Sequence, residues 1–320
     1  MEKEIDLKES FDFYDQTYLK TYNLNKSIRY QLNLLDSLDM FTRKHSENVA
    51  TVTCNLCKKL HCTKGFTEYC VTCAYIHDIG KMFISQNILQ KNGKLTDEEF
   101  EIMKTHTTIG YDICMKDLKL RPYAAGPLYH HEALNGTGYP QGLTKKDIPY
   151  EAQIITVADE YDAIVSKRQY KTHIGISDTL KLIIENAQPG KGLDKSSALS
   201  EISSIAKLGK VNPIIVKCLF KVVLDDIYYE ITCTQSYLDD IQDDLNRFKQ
   251  IEKYEIKMNE AKTEKKKNYY MEGIKILLKK EETFEDYKRL YAEYSEAYTK
   301  RKAIIDNLWH EAKIIKKLKV

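Results

Sequence analysis

Nowhere in this 320-residue chain does an apolar run approach the ~20 residues that a membrane span requires. The longest apolar patch, IIVKCLFKVVL at 214–224, is short and broken by Lys217 and Lys221. The N-terminus, MEKEIDLKES, is acidic and has no apolar stretch of the kind a secretory leader carries. A cytoplasmic protein with no membrane contact is the expectation. Net charge is also nearly absent, since 49 Lys and Arg against 47 Asp and Glu leave +2 at neutral pH. No global field then draws the chain to DNA or RNA, and a small anionic ligand has to be held by local charges. Proline and glycine are scarce, at 6 and 13 residues. Strand patterns of period 2 are few, whereas 3.6-residue periodicity recurs, so the expected fold class is all-α.

The eight cysteines include Cys54-x-x-Cys57 and Cys70-x-x-Cys73, a spacing that invites a zinc-ribbon reading. Helical geometry argues against it. Phe66, Cys70, Cys73 and His77 follow an i, i+4, i+7, i+11 stripe, which puts the later pair on a buried helix face. His45, Val49, Val52 and Leu56 form a similar stripe, with Cys54 pointing roughly opposite. Neither pair has the Gly or Pro that shapes a zinc knuckle. Free thiols acting as small apolar side chains are expected.

Local signals punctuate the chain. Thr96 and Glu99 in KLTDEEF have the form of a capping box. Gly80 reads as the stop of the helix that carries His77 and Asp78. Pro149 suits the first turn of a helix through YEAQIITVADEYDAIVS, and NGTGYPQGL at 135–143 is a loop. Beyond residue 230 the composition shifts: 37 of the last 90 residues are charged, against 59 of the 230 before them, and proline disappears.

Chemistry is concentrated in five places. They are His45 in TRKHSENV, HDIGK at 77–81, His106 in KTHTTIG, HHEALNGTGYP at 130–140, and Asp159 in VADEYDA. A lone histidine on an apolar face is more often a hydrogen-bonded core residue than a ligand. The combination of adjacent His-Asp, adjacent His-His and single donors on separate helices reverses those odds. Imidazole and carboxylate donors suit borderline divalent metals, and burying so many titratable groups without a cation is costly. Two cations sharing a carboxylate polarise a phosphoryl oxygen and acidify a water, which is chemistry for phosphate-ester hydrolysis.

In this order the residues resemble the HD superfamily of metal-dependent phosphohydrolases, and HDIGK with HHExxNGxGYP resembles its narrower HD-GYP branch. The likeness runs from about residue 28 to about 224. It implies an all-α HD-GYP-type bundle that hydrolyses cyclic di-GMP to linear pGpG, with GMP as a further product. It also implies two divalent metal ions, Fe or Mn first, with Zn and Mg as alternatives. His45, His77 and Asp159 match the ligands of one metal, His106, His130 and His131 those of the other, and Asp78 the bridging carboxylate between them. Lys81 matches a lysine on the scissile phosphate, and Arg168 and Lys171 match residues that hold phosphate oxygens. Gly138, Tyr139 and Pro140 match the substrate loop, whose aromatic residue stacks on guanine, while Glu132 and Asn135 are expected to support it. Gln169 stands where the family has a proline, and SQNIL at 85–89 lacks a common Pro-Asp. Some members carry a Glu four residues before the first histidine and bind a third ion; Phe41 holds that place here.

Residues 1–27 are thus expected to be a helical lead-in, 28–230 the catalytic domain and 231–320 a charged helical extension. Phe284, Tyr287, Tyr291, Tyr294, Tyr298, Ile305, Leu308, Ala312 and Ile315 form a heptad stripe, interrupted by Arg301. Leu238, Ile241, Leu245 and Phe248 form a shorter one, with EKKK at 264–267 as the turn between. A helical hairpin is the first reading, and a coiled-coil homodimer or docking site for a partner the second. Two other functions stand beside the hydrolase: a cyclic GMP-AMP phosphodiesterase, and a non-catalytic nucleotide-binding scaffold. A retired enzyme loses ligands, and all seven are present.

Overall fold

A computed structural model describes residues 40–91, 93–166 and 195–320, with side chains from residue 42. Among these residues there is no strand, only an isolated bridge between Asn135 and Thr144. No helix among them is long and apolar enough to cross a membrane. The described residues fall into two compact units. The first holds those up to 166, 195–225 and 314–320, and the second holds 226–313.

The first unit is built on α1 (Met40–Lys59) and α2 (Lys64–Ile76), joined by a short turn in which Thr63 caps α2 by accepting from the Phe66 N–H. A 3-10 turn (Ile79–Phe83) follows, then α3 (Gln86–Leu89), α4 (Asp97–Lys104), α5 (His106–Lys116), α6 (Ala125–Tyr129), α7 (Tyr150–Ser166) and α8 (Lys195–Lys207). Helix α7 packs on α1, α2, α6 and α8, and the 3-10 turn packs on α5. Leu56, Tyr75, Ile76, Ile154 and Ile155 are fully buried in this core. Each such side chain contributes roughly 1.5–3 kcal/mol of transfer free energy.

Both halves of the Thr96–Glu99 capping box are formed at the start of α4. Two other local readings change. The helix before the HD pair ends at Ile76, with His77 as its C-cap, and Gly80 lies inside the 3-10 turn rather than past a helix end. Its missing Cβ is needed for another reason: one built there would sit 1.9 Å from the His106 carbonyl oxygen. The cysteines are free thiols, with Cys54, Cys57, Cys70 and Cys73 all buried. Cys54 is covered although it faces away from the His45 stripe, because α2 and α7 flank α1 on two sides.

Helix α9 (Pro213–Glu260) belongs to the first unit up to Asp225 and to the second beyond it. The second unit adds α10 (Glu264–Leu277) and most of α11 (Tyr287–Ile315). EKKK is not a turn but the first turn of α10, which Thr263 caps by accepting from the Lys266 N–H. The break lies one step earlier, at 261–263, so the segment makes three helices rather than two. Phe248, Ile251, Ile274 and Tyr287 form the unit's buried cluster, with Phe284, Tyr291 and Tyr294 packed against it. Arg247 ties the unit together: it donates to both Glu282 carboxylate oxygens, to Asp244 Oδ1 at 3.0 Å and to the Leu277 carbonyl at 3.0 Å.

Candidate metal centre

Seven side chains from five places in the sequence converge at one point of the first unit. His45 comes from the middle of α1, His77 and Asp78 from the end of α2, His106 from the first residue of α5, His130 and His131 from the end of α6, and Asp159 from α7. Three overlapping groups have their ligand atoms within 4.8 Å of one another: His45, His77 and Asp78; Asp78, His106, His130 and His131; and His77, His130 and Asp159.

Asp78 stands at the centre and is 1% exposed. Its Oδ2 lies 3.2 Å from His77 Nε2, 3.7 Å from His45 Nε2 and 2.5 Å from the Lys81 ammonium. Its Oδ1 faces the other way, 3.5 Å from His106 Nε2 and 3.8 Å from His130 Nε2. Each carboxylate oxygen therefore serves a different set of imidazoles. On the far side Asp159 Oδ1 is 2.9 Å from His45 Nε2, and its Oδ2 is 4.0 Å from His131 Nδ1.

Backbone carbonyls decide which nitrogen each ring presents. His77 Nδ1 donates to the Ala74 carbonyl at 2.7 Å and His106 Nδ1 to that of Met103 at 2.6 Å. His130 Nδ1 donates to Pro127 O at 2.9 Å. A carbonyl only accepts, so each Nδ1 carries a proton, and any of these rings in its neutral form turns a bare Nε2 inward. The consequence is unfavourable for protein atoms alone. His106 Nε2 and His130 Nε2 face each other at 3.3 Å, lone pair against lone pair. His77 Nε2 and Asp78 Oδ1 are buried without a hydrogen-bond partner. A divalent cation fits this donor set, because it satisfies carboxylate oxygens and imidazole lone pairs together.

For the second histidine set the electrostatics favour the same ionisation states. Burial pushes the His106 imidazole down and His130 well down, and it takes His131 to about 3, so these rings are neutral. Burial alone would raise the Asp78 carboxyl, but His77 and Lys81 outweigh it and hold it well below the usual carboxylate range. Asp159 is likewise depressed against its burial, chiefly by His45. His45 itself, though burial opposes its charge, is pushed up to about 10 by hydrogen bonds with Asp159 and Asp162. Ionised carboxylates and neutral imidazoles are the forms a metal takes, so His45 has to give up its proton to bind one.

Asp162 has no counterpart in the sequence reading. Its Oδ2 meets His45 Nδ1 at 2.6 Å, while its Oδ1 accepts from Asn48 Nδ2 at 3.0 Å. It sits one turn beyond Asp159 on α7, so the D-x-x-D spacing was its one available signal. Such a carboxylate sets the tautomer and tilt of a ligating ring. Asp162→Asn is expected to lower divalent-metal affinity about 10- to 100-fold with helix content unchanged. Titration against a chromophoric chelator checks this.

The 135–143 loop folds back over His131. Glu132 is buried and accepts from the Gln141 N–H at 2.7 Å and the Leu143 N–H at 2.8 Å, which closes the loop. Asn135 Oδ1 accepts from the Thr137 N–H and hydroxyl within the loop's first turn. Gly138 presses on the chain, where a Cβ would meet Ala133 N at 2.2 Å. The Tyr139–Pro140 peptide is cis. The Tyr139 ring lies 4.8 Å from that of His131 at 30°. Arg168 and Lys171 lie outside the described residues, as does the side chain of Phe41.

Comparison with known proteins agrees with this geometry. A family model described as HD domain matches residues 29–194. A cyclic di-GMP phosphodiesterase of Thermotoga maritima is 43% identical over 143 residues, 44% of this chain and 39% of that protein. The 3'3'-cGAMP-specific phosphodiesterase 3 of Vibrio cholerae is 33% identical over 153 residues, 48% of this chain and 33% of that one. The cyclic di-GMP phosphodiesterase response regulator RpfG of Xanthomonas campestris is 44% identical over 100 residues, 31% and 26% respectively. The matched segments span less than half the length of each of these relatives. With the HD pair at the centre of the cluster and the GYP loop folded over it, the chain belongs to the HD domain family and, within it, to the HD-GYP type.

Proposed function

We propose that this chain is a phosphodiesterase that opens a cyclic dinucleotide, cyclic di-GMP first, with two divalent cations held between the seven side chains. The observation that carries the reading is the division of labour at Asp78, whose two carboxylate oxygens face separate histidine sets. His45, His77 and Asp159 would hold one ion, and His106, His130 and His131 the other, with Asp78 shared. Iron or manganese suits this mixture of nitrogen and oxygen donors. When bound, the ions would supply the Lewis acidity that phosphate-ester hydrolysis by water needs.

The chain's own groups do the rest. Lys81 places its ammonium 2.5 Å from Asp78, beside the cluster, where it can donate to a phosphate oxygen as charge builds there. Arg168 and Lys171, nine and twelve residues past Asp159, would clamp the other phosphate oxygens. The pinned Nδ1 bonds and Asp162 fix the rings in place before substrate arrives. The GYP loop, with Gly138, Tyr139 and Pro140, forms one wall for the substrate.

The test uses the full chain with Mn(II) or Fe(II), offered cyclic di-GMP and cyclic GMP-AMP, with products separated by chromatography. Metal-dependent appearance of linear pGpG is expected, followed by GMP. If the metal-loaded chain turned over neither nucleotide, the hydrolase reading would give way to a binding scaffold.

A further inference from the structure

Beside His131 lies a cavity of about 370 Å³. Its walls include the rings of Phe100 and Tyr139, with Lys104, Thr137, Glu160 and Lys210. That volume is near the lower bound for small-molecule sites, which leaves room for one nucleotide half of a cyclic dinucleotide rather than the whole. The aromatic walls are flat and cross nearly at right angles, with ring centroids 6.3 Å apart and an interplanar angle of 81°. The Lys104 ammonium sits over both, 4.9 Å from the Phe100 centroid and 5.7 Å from that of Tyr139.

Two carboxylates belong to this wall, Glu132 and Glu160. Glu132 has given one oxygen each to the N–H groups of Gln141 and Leu143. Glu160 follows Asp159 on α7, one residue beyond the cluster, and is only half-buried. It has an interaction of its own, and a carboxylate provides about four acceptor sites. Its charge reaches the neighbouring phenol: burial first, and Asp78, Asp159 and Glu160 after it, push the Tyr139 hydroxyl up.

A purine brings a distinguishing edge to such a group. Guanine presents N1–H and the N2 amine side by side, two donors that match the two oxygens of a carboxylate. Adenine presents a bare N1 lone pair there and has no N2 amine, so the same carboxylate repels it. Hypoxanthine keeps N1–H and loses the amine. We propose that Glu160 is the specificity-determining residue of this cavity, its carboxylate accepting from N1–H and N2–H of one guanine of the substrate. The inference rests on the cyclic-dinucleotide reading above for the purine and deepens it to a base preference. Cyclic di-GMP and cyclic GMP-AMP both carry the required guanine. A cyclic dinucleotide with two adenines does not.

Equilibrium binding of mononucleotides tests this without turnover. GMP, IMP and AMP are titrated calorimetrically into the full chain supplied with Mn(II), and into Glu160→Gln. All three share one phosphate and one ribose, so the cluster treats them alike and only the base differs. The unmodified chain should bind GMP about 5- to 150-fold more tightly than AMP, with IMP between them. In Glu160→Gln the ratio of GMP to AMP affinity should fall towards one. A merely structural role for Glu160 weakens both ligands together and leaves the ratio where it was, and that result overturns the proposal. Equal binding of GMP and AMP by the unmodified chain overturns it too, as does a failure of GMP to bind at millimolar concentration. A chain with the expected preference that hydrolyses no cyclic dinucleotide sinks the proposed activity and leaves the guanine pocket standing.

Discussion

Asp78→Ala is expected to cut turnover by at least about 10²- to 10³-fold, and to lower metal content, while circular dichroism still reports a helical chain. The carboxylate stands at the centre of both histidine sets, each of its oxygens facing one of them. Without it, His45 and His77 on one side and His106 and His130 on the other lose the anion that stands between them. Five imidazoles and Asp159 would then be left to hold the two proposed dications. Lys81→Ala is the informative counterpart. Its ammonium touches Asp78 but is not a ligand, so metal content should stay near that of the unmodified chain while the rate falls. Elemental analysis and steady-state rates, measured on the same preparations, separate the two variants. Full activity in Asp78→Ala with metal present would rule out the shared-carboxylate mechanism.

Gly80→Ala should be nearly as damaging, although it adds a single methyl group. The new Cβ would stand 1.9 Å from the His106 carbonyl oxygen and 2.7 Å from Gly110 N, both of them backbone atoms of α5. Neither can rotate away, so the 3-10 turn and α5 must separate. That movement carries Asp78, two residues earlier, away from His106, its neighbour at 3.5 Å. A loss of about 1–3 kcal/mol in unfolding free energy is expected from the overpacking alone, with metal content falling as well. Gly65→Ala is the control, since nothing lies within 4 Å of the added atom in the first turn of α2. It should be neutral or stabilise by up to about 1 kcal/mol. Urea denaturation of the three proteins reads the difference, and equal midpoints for Gly80→Ala and the unmodified chain would contradict the packing argument.

Much of this was legible without coordinates, and the pattern of success has a physical cause. The Thr96–Glu99 capping box and the helix beginning after Pro149 depend on groups within four residues of one another, so spacing alone specified them. Gly80 was misread because its role is set by a carbonyl 26 residues away. EKKK looked like a turn because four like-sized charged residues rarely pack, yet they start α10 behind the Thr263 cap. Asp162 passed unnoticed since a second aspartate one helical turn after the first also reads as an ordinary solvated side chain. Only the approach of α1 gives it a histidine to hold.

What the sequence determined by itself was the chemistry: which donors are present, in what order, and that their residue types suit divalent metals and phosphate esters. It also determined the helical class, because 3.6-residue periodicity is written in nearest neighbours. What tertiary structure alone decided was the use of those donors. Which oxygen of Asp78 faces which rings and which nitrogen each histidine turns inward follow from contacts between α1, α2, α5, α6 and α7. Those helices are distant along the chain, and the lone pairs they bring together acquire their meaning only when burial removes water as the alternative partner.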